Sequence, residues 1–417
     1  MEVNAGDTAW MLTSSALVLF MTPGLALFYG GMVRAKHVLG MLIQNVVAMG
    51  LIGVLWAVVG FSLAFGDAGG LIGNFDFAFM KGITAFDAEG GLLNSLPGLD
   101  FLTVPPIVFF GFQMMFAIIT PALITGATAD RLKFGSYLLL IGLWSVLVYS
   151  PVAHWVFSPT GWLFERGALD FAGGTAIHIN AGVAALVVVT IIGRRNGYPE
   201  HPMPPHNLPL TLIGTGILWF GWFGFNAGSA GAANTQAAQA LVNTSLAASA
   251  AMLSWLLAER VVGGHATTLG GASGAVAGLV AITPCAGFVG GMSPIIIGAV
   301  AGVVCYLAIG IKRALKLDDS LDVIAVHLVG GVIGSILLGF FADKSATGLG
   351  SDGLFFGGGA DLLLDQVVAV ASALVYSAVA TFVIAKAIDL TLGLRVDAEA
   401  EDTGLDLSQH AETAYAS

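Results

Sequence analysis

Long apolar runs recur along the whole chain, and each is long enough to cross a lipid bilayer, which takes about 20 residues of helix. Because backbone N–H and C=O groups find no water inside the bilayer, we expect each run to be helical. Only 10% of the 417 residues are charged, whereas a soluble protein carries about 25%. The sequence therefore predicts an all-α polytopic membrane protein of about eleven transmembrane helices. Their approximate bounds are 8–31, 39–65, 103–127, 134–156, 173–193, 208–230, 237–261, 268–284, 292–311, 321–341 and 364–390.

The basic residues indicate how these spans are oriented. Of the 15 lysines and arginines, all but Lys81, Arg166 and Lys344 lie at links that follow odd-numbered spans or at the end of the last span. Basic residues accumulate on the cytoplasmic side of membrane proteins. We therefore expect the N-terminus outside and the C-terminus inside, an arrangement that requires an odd number of spans.

Two histidines lie well inside apolar runs, at matching places in the chain. His178 is in the fifth predicted span and His327 in the tenth, and the Pro- and His-rich link 196–207 separates the first five spans from the next five. This spacing favours an inverted repeat of five plus five spans. We expect residues 1–395 to form the transmembrane domain and the acidic residues 396–417 to form a cytoplasmic C-terminal tail.

An ionisable side chain inside a span is costly, and it usually faces a pathway or a partner. A neutral imidazole both donates and accepts a hydrogen bond, so His178 and His327 could pass along a small polar molecule or relay a proton. The alternative is a pair of core histidines that bond to each other or to backbone, and position alone leaves the two interpretations even. No third ligand is close in sequence, so we expect neither a metal site nor a cofactor.

Two aspartates begin the spans that contain these histidines, Asp170 and Asp322. An aspartate at a helix N-terminus accepts hydrogen bonds from the first free N–H groups and offsets the helix dipole. Helix capping is therefore the favoured role for both, ahead of direct contact with a ligand.

Aromatic residues form a second pattern. Phe112 and Phe116 are four residues apart, as are Phe225 and Ser229, so each pair shares a helix face. Phe157 lies at the outer end of the fourth predicted span. Aromatic faces attract cations, and a serine hydroxyl accepts a hydrogen bond. Aromatic residues are also common anchors at membrane interfaces, which is the favoured role for Phe157 from its position alone.

Several functions are not supported by any motif. The sequence has no P-loop, no GxSxG, no HExxH and no dinucleotide fingerprint. It also has no basic surface of the kind that binds nucleic acid. We therefore expect a protein that is not an enzyme and does not bind nucleic acid.

Nine motifs are spread along nearly the whole chain: FYGGMVR (28–34), GFQMMFA (111–117), DFAGGTAIHINAG (170–182), PHNLP (205–209), GWFGFNAGSAG (221–231), SGAVAGLV (273–280), DDSLDVIAVH (318–327), DLTLGLR (389–395) and GLDLSQHAETAY (404–415). Together they resemble the Amt/Mep/Rh family of ammonium transporters, and its bacterial-type Amt branch in particular.

The resemblance implies a homotrimer whose subunits each hold a narrow hydrophobic pore for ammonium or ammonia, with methylammonium as an analogue. It implies a multi-pass protein of the plasma membrane, which is the inner membrane in a Gram-negative cell. The implied site residues are the pore histidines His178 and His327, the gate residues Phe116 and Phe225, the outer ammonium-recruitment residues Phe116, Phe157 and Ser229, and the supporting residues Asp170, Phe112 and Trp222.

The family's usual tryptophan at the outer mouth aligns with Phe157 here. Phenylalanine is a weaker cation–π partner than tryptophan, so either Trp155 or Trp162 could compensate. This departure keeps a second hypothesis open, an ammonium sensor that conducts little or nothing. The tail resembles the segment that contacts a PII-type signalling protein, which implies regulation at the cytoplasmic face. The alternative is a solvated acidic tail that packs beneath the neighbouring subunits.

Overall fold

A computed structural model describes residues 3–83, 96, 98–99 and 101–415. Every regular segment in this part of the chain is helical, apart from one isolated bridge between Leu132 and Arg395. The all-α prediction is confirmed. The long apolar segments are α1 (Ala5–Met32), α2 (Ala35–Phe65), α3 (Pro106–Thr128), α4 (Phe134–Arg166, interrupted by a turn at 158–161), α5 (Gly174–Ile192), α6 (Leu208–Ala227), α7 (Thr235–Gly263), α8 (Thr268–Ile282), α9 (Ser293–Lys312), α10 (Ile324–Phe341) and α11 (Asp361–Thr391).

Within the described residues, ten of these segments are long and apolar enough to cross a membrane. The exception is α8, with 15 residues, which is the span predicted over 268–284. The count of eleven spans and the orientation stay predictions. The loop predicted over 67–102 is described only in part, because 84–95, 97 and 100 lie outside the described residues.

Helices α1 and α6 cross at very short range because glycines line their contact. A methyl group placed on Gly214 of α6 would overlap the backbone of Phe28 in α1. A methyl group on Gly31 of α1 would meet the backbone of Asn207, just before α6. Small residues allow this approach of two backbones, which stabilises helix pairs in membranes through close packing.

The C-terminal tail folds back onto the bundle and marks one end of it, the tail end. Helices α12 (Ala398–Thr403) and α13 (Leu405–His410) follow α11. The Asp406 carboxylate accepts hydrogen bonds from the N–H groups of Leu39 (3.0 Å) and Gly40 (2.8 Å), near the start of α2. The Gln409 side chain accepts one from the N–H of Phe134 at 2.7 Å, at the start of α4.

A third tail contact is an ion pair. The Glu401 carboxylate is buried and accepts hydrogen bonds from the Arg395 guanidinium at 2.6 Å and from the N–H of Asn196 at 2.6 Å. The tail therefore contacts the α1–α2, α3–α4 and α5–α6 regions at once.

Arg195 and Asp318 join the two halves of the chain at the tail end. The Arg195 Nη2 donates to Asp318 Oδ1 at 2.7 Å. Burial alone would raise the pKa of Asp318, but the hydrogen bonds from Arg195 and the positive charge of Arg131 hold it below its usual range. Arg195, one of the basic residues that predict orientation, therefore also joins two inter-helix links.

We predict that Gly214→Ala lowers the melting temperature of the detergent-solubilised protein. The added methyl group has no room between α1 and α6, and overpacking costs about 1–3 kcal/mol. The matched control is Gly216→Ala in the same helix, where a methyl group meets nothing within 4 Å. The melting temperatures are measured by tryptophan fluorescence. Equal values for the two variants would contradict the close packing of α1 and α6 at Gly214.

Candidate functional site

The predicted aromatic and polar residues meet in a cavity of about 820 Å³ at the end of the bundle opposite the tail. We call this cavity the vestibule, and its end of the bundle the vestibule end. Among the residues that line it are Phe112, Phe116, Phe157, Asp170 and Ser229. These five come from α3, α4, the start of α5 and the link after α6, so their grouping depends on the tertiary fold.

Two phenylalanines in contact line two different cavities. The rings of Phe116 and Phe225 have centroids 4.5 Å apart and are tilted by 52°. Phe116 lines the vestibule, while Phe225 lines a second, much smaller cavity of about 10 Å³. This smaller cavity has room for roughly one water-sized molecule.

Both histidines line the small cavity and contact each other there. Their Nδ1 atoms are 3.3 Å apart, and His178 and His327 are only 1% and 4% exposed. One Nδ1 must donate and the other accept for this contact to be a hydrogen bond. The sequence left two interpretations open, a pair of core histidines bonded to each other and a pair that lines a pathway. The two are compatible, because the rings contact each other and also line a cavity.

The histidine contact leaves a polar atom without a partner. Nε2 of His178 is buried and has no hydrogen-bond partner in the described part of the chain. A buried polar atom without a partner costs about 1–3 kcal/mol. Apolar side chains make up most of the remaining wall, including Met21, Leu25 and Ile119. Among the described side chains that line this cavity, the histidines therefore offer the hydrogen-bonding atoms that a small molecule could use.

Aromatic packing fixes the plane of the His178 ring. The Trp222 ring stacks on it at a centroid distance of 5.5 Å and an angle of 21°. The Phe225 ring stacks at 6.0 Å and 19°. Trp222 is held in turn, because its Nε1 donates to the Thr283 hydroxyl at 2.9 Å. Trp222 therefore packs on His178 from a fixed position in the wall of the small cavity.

The segments that carry the histidines are π-helical, and an aspartate begins each one. His178 lies in Gly174–Ile179 and His327 in Ile324–Val329. The Asp170 carboxylate accepts four backbone N–H bonds of 2.7–3.1 Å, from residues 173 to 176. π-Helical turns of this kind are frequent at functional sites.

The prediction that Asp322 caps the second segment is wrong. The cap is Asp319, whose carboxylate accepts N–H bonds from Val323 at 3.1 Å and Ile324 at 2.8 Å. Asp322 pairs instead with Lys312. Asp319 precedes His327 by eight residues, the same offset that separates Asp170 from His178. The corrected assignment makes the two halves more alike, as an inverted repeat requires.

The vestibule residues differ in how their polar atoms are used. The Ser229 hydroxyl donates to the backbone oxygen of Phe225 at 2.8 Å, which leaves its lone pairs available. Burial raises the pKa of the Asp170 carboxyl, while the four N–H donors oppose that shift. Asp7 and Gln113 also line the vestibule, although neither is among the expected site residues; Gln113 lies within the GFQMMFA motif, whereas Asp7 lies outside every quoted motif.

Phe157, and neither nearby tryptophan, lines the vestibule. Trp155 packs against Tyr376 with centroids 4.8 Å apart, and its Nε1 donates to the backbone oxygen of Leu71 at 2.7 Å. Trp162 packs against Trp155 with centroids 5.9 Å apart. Neither indole is therefore placed to add a cation–π contact in the vestibule. Phe157 lines the cavity and is not only an anchor at the membrane interface.

A family model described as the Ammonium Transporter Family matches residues 9–415. The chain belongs to this family. An ammonium transporter of Mycobacterium tuberculosis (strain ATCC 25618 / H37Rv) is 52% identical over 99% of this chain and 90% of that protein. The ammonium transporter Amt1 of Archaeoglobus fulgidus is 44% identical over 99% of this chain and 100% of that protein. The crystal structure of Saccharomyces cerevisiae Mep2 matches with a TM-score of 0.87 and 33% identity, over 96% of this chain and 89% of that chain.

These similarities confirm the resemblance to bacterial-type Amt proteins. Members of the ammonium transporter family are membrane transport proteins and not enzymes. With its long apolar helices, this family member is a multi-pass protein of the plasma membrane.

We predict that Asp170→Asn destabilises the start of α5 in this family member. The amide keeps one oxygen for four N–H donors and turns its own NH₂ group toward some of them, and a hydrogen bond to a charged group is worth about 1.5–3 kcal/mol. The melting temperature should fall, whereas Asp361→Asn, at an exposed first-turn position of α11 without such N–H contacts, should lower it much less, because it loses only about 0.3–1 kcal/mol of dipole stabilisation. An Asp170→Asn protein as stable as the control would show that the cap is dispensable.

Proposed function

We propose that this protein moves ammonium or ammonia across the plasma membrane through the vestibule, the Phe116–Phe225 gate and the His178–His327 pair. The observation that carries the proposal is the contact between two buried histidines in an apolar passage, with His178 Nε2 left without a partner. Membership of the ammonium transporter family supports the same conclusion.

Recruitment begins in the vestibule, on its outer side by the predicted orientation. An ammonium ion that rests among Phe116, Phe157 and Ser229 gains cation–π attraction from the rings and donates a hydrogen bond to the hydroxyl. Phe112 supports this arrangement, because its ring packs on Phe116 with centroids 4.8 Å apart. Phe157 makes the aromatic contribution weaker than a tryptophan would.

The gate strips water from the substrate. Phe116 and Phe225 are in contact, so rotation of their rings must open the passage. The small cavity beyond them, about 10 Å³ in volume, has no room for a hydrated cation. A molecule that passes must therefore leave its water in the vestibule.

The histidines supply the hydrogen bonds that the lost water supplied. An ammonium ion or an ammonia molecule can donate to an imidazole nitrogen and can also exchange a proton with it. Potassium can do neither, and the mostly apolar side chains that line the small cavity offer little to replace its hydration shell. Selectivity against potassium follows from this difference, and methylammonium, which keeps its N–H groups, serves as an analogue.

The remaining parts of the proposal concern assembly and regulation. Three subunits form a homotrimer, and each has its own pore. The tail is cytoplasmic and regulates transport, and a PII-type protein binds at this face. The contacts of Asp406, Gln409 and Glu401 with three inter-helix regions support a regulatory role, because displacement of the tail would release all three.

We predict that the double variant His178→Ala, His327→Ala loses selective uptake of labelled methylammonium in proteoliposomes. The two nitrogens that replace the water of the substrate are absent, so uptake should fall about tenfold or more, or potassium should enter as well. Ser249→Ala, a partly buried position on α7 away from both cavities, is the control and should transport normally.

Wild-type uptake and selectivity in the double variant would contradict the proposed role of the histidines. A wild-type protein that binds methylammonium without conducting it would instead favour the sensor hypothesis.

We predict that Asp406→Ala loosens the tail and lowers methylammonium uptake severalfold in the absence of any partner protein. The two N–H groups at the start of α2 lose their acceptor, and hydrogen exchange should rise over 398–410. The matched control is Asp402→Ala, because Asp402 contacts Lys36 through its backbone oxygen and its side chain is exposed. The same uptake and exchange in both variants would exclude this coupling of tail and bundle.

A further inference from the structure

Asp7, in the first turn of α1, lines the vestibule but has no role in the pathway described above. Its Oδ1 accepts a hydrogen bond from the N–H of Ala233 at 2.8 Å, and its Oδ2 accepts one from the Thr103 hydroxyl. These contacts tie α1 to the segment before α3 and to the link between α6 and α7. The carboxylate is therefore held at a fixed place on the vestibule wall.

The charges around the vestibule are unbalanced. The described residues that line it include two carboxyl groups, those of Asp7 and Asp170, and no lysine, arginine or histidine. The salt bridges of the described chain do not involve Asp7. Among the described residues that line the vestibule, no cationic side chain thus offsets the charge of these carboxyl groups.

The two carboxyl groups are not equivalent. Each oxygen of Asp170 already accepts two backbone N–H bonds, and burial raises the pKa of that group. Asp7 is only partly buried, and each of its oxygens accepts one hydrogen bond. A carboxylate has about four lone-pair sites, so Asp7 retains acceptor capacity toward the cavity.

We propose that Asp7 is the electrostatic recruiting residue of the vestibule, which draws small monovalent cations toward the Phe116, Phe157 and Ser229 positions. This inference rests on the proposed function, since it assumes that ammonium enters through the vestibule. A charge of one sign in a cleft with low-dielectric walls raises the local concentration of the opposite ion. Because Phe157 is a weak cation–π partner, a fixed carboxylate adds attraction that the aromatic wall does not supply.

The proposal differs from a purely structural role in one measurable way. A brace between α1, Thr103 and Ala233 depends on hydrogen bonds, whereas recruitment depends on charge. Asp7→Asn keeps an oxygen for the Ala233 N–H and an NH₂ group that can donate to the Thr103 hydroxyl, but it removes the charge. Asp7→Glu keeps the charge and alters the length of the brace.

The test measures labelled methylammonium in two ways, as initial uptake into proteoliposomes and as equilibrium binding to the solubilised full-length protein. At about 10 mM ionic strength, where the Debye length is about 30 Å, Asp7→Asn should raise KM and Kd about threefold to tenfold and leave kcat unchanged. The difference should shrink toward zero at about 1 M salt, where the Debye length is about 3 Å. Asp7→Glu should restore most of the affinity.

The control is Asp361→Asn, which removes a carboxylate at the same end of the bundle but outside the vestibule lining. It should change neither constant. An Asp7→Asn protein with wild-type KM and Kd at low ionic strength would overturn the proposal. If Asp7→Ala weakens binding and uptake while Asp7→Asn does not, Asp7 has only the structural role of joining α1 to Thr103 and Ala233. Salt-dependent binding with no uptake by the wild type would contradict the proposed transport and leave the role of Asp7 in place.

Discussion

The contact between His178 and His327 is the constraint on which the rest of the structure depends. The two Nδ1 atoms are 3.3 Å apart, and the cavity wall around them is mostly apolar. The contact gives one nitrogen of each imidazole ring a hydrogen-bond partner. Their planes must therefore be held by neighbours, and stacking on Trp222 and Phe225 does this for His178. Each histidine segment begins at an aspartate that accepts its first free N–H groups. The glycine contact of α1 and α6 brings the cavity walls together.

Much of this arrangement could be predicted from the sequence because it depends on local spacing. The apolar runs predict the spans, and His178 and His327 stand out as the histidines that lie well inside such runs. The contact of Phe112 with Phe116, four residues apart, follows from the helical period, whereas Ser229 lies in a turn beyond α6 and lines a different cavity from Phe225. The sequence does not single out Asp319, because it lies only three positions before Asp322 and only the fold decides which carboxylate meets the free N–H groups. Asp7 was missed because its partner Ala233 is 226 residues away.

The vestibule and the tail depend on such distant contacts. Phe157 lines the vestibule at the position where the resemblance implies a tryptophan, while Trp155 and Trp162 pack away from the cavity. A weaker aromatic site shifts importance to hydrogen bonding and to charge. At the other end, the tail reaches three inter-helix regions through a few buried carboxylate and amide contacts, so its position can influence several spans together.

The central claim is that a dry passage with two histidines admits a substrate that donates hydrogen bonds and excludes a cation of similar size that does not. The most direct measurement is dual-label uptake into proteoliposomes, with carbon-14 methylammonium and rubidium-86, a potassium analogue, counted in the same vesicles. The account predicts methylammonium uptake well above that of empty liposomes, with rubidium uptake equal to theirs. Rubidium entry at a rate comparable to methylammonium, through the wild-type protein, would contradict it.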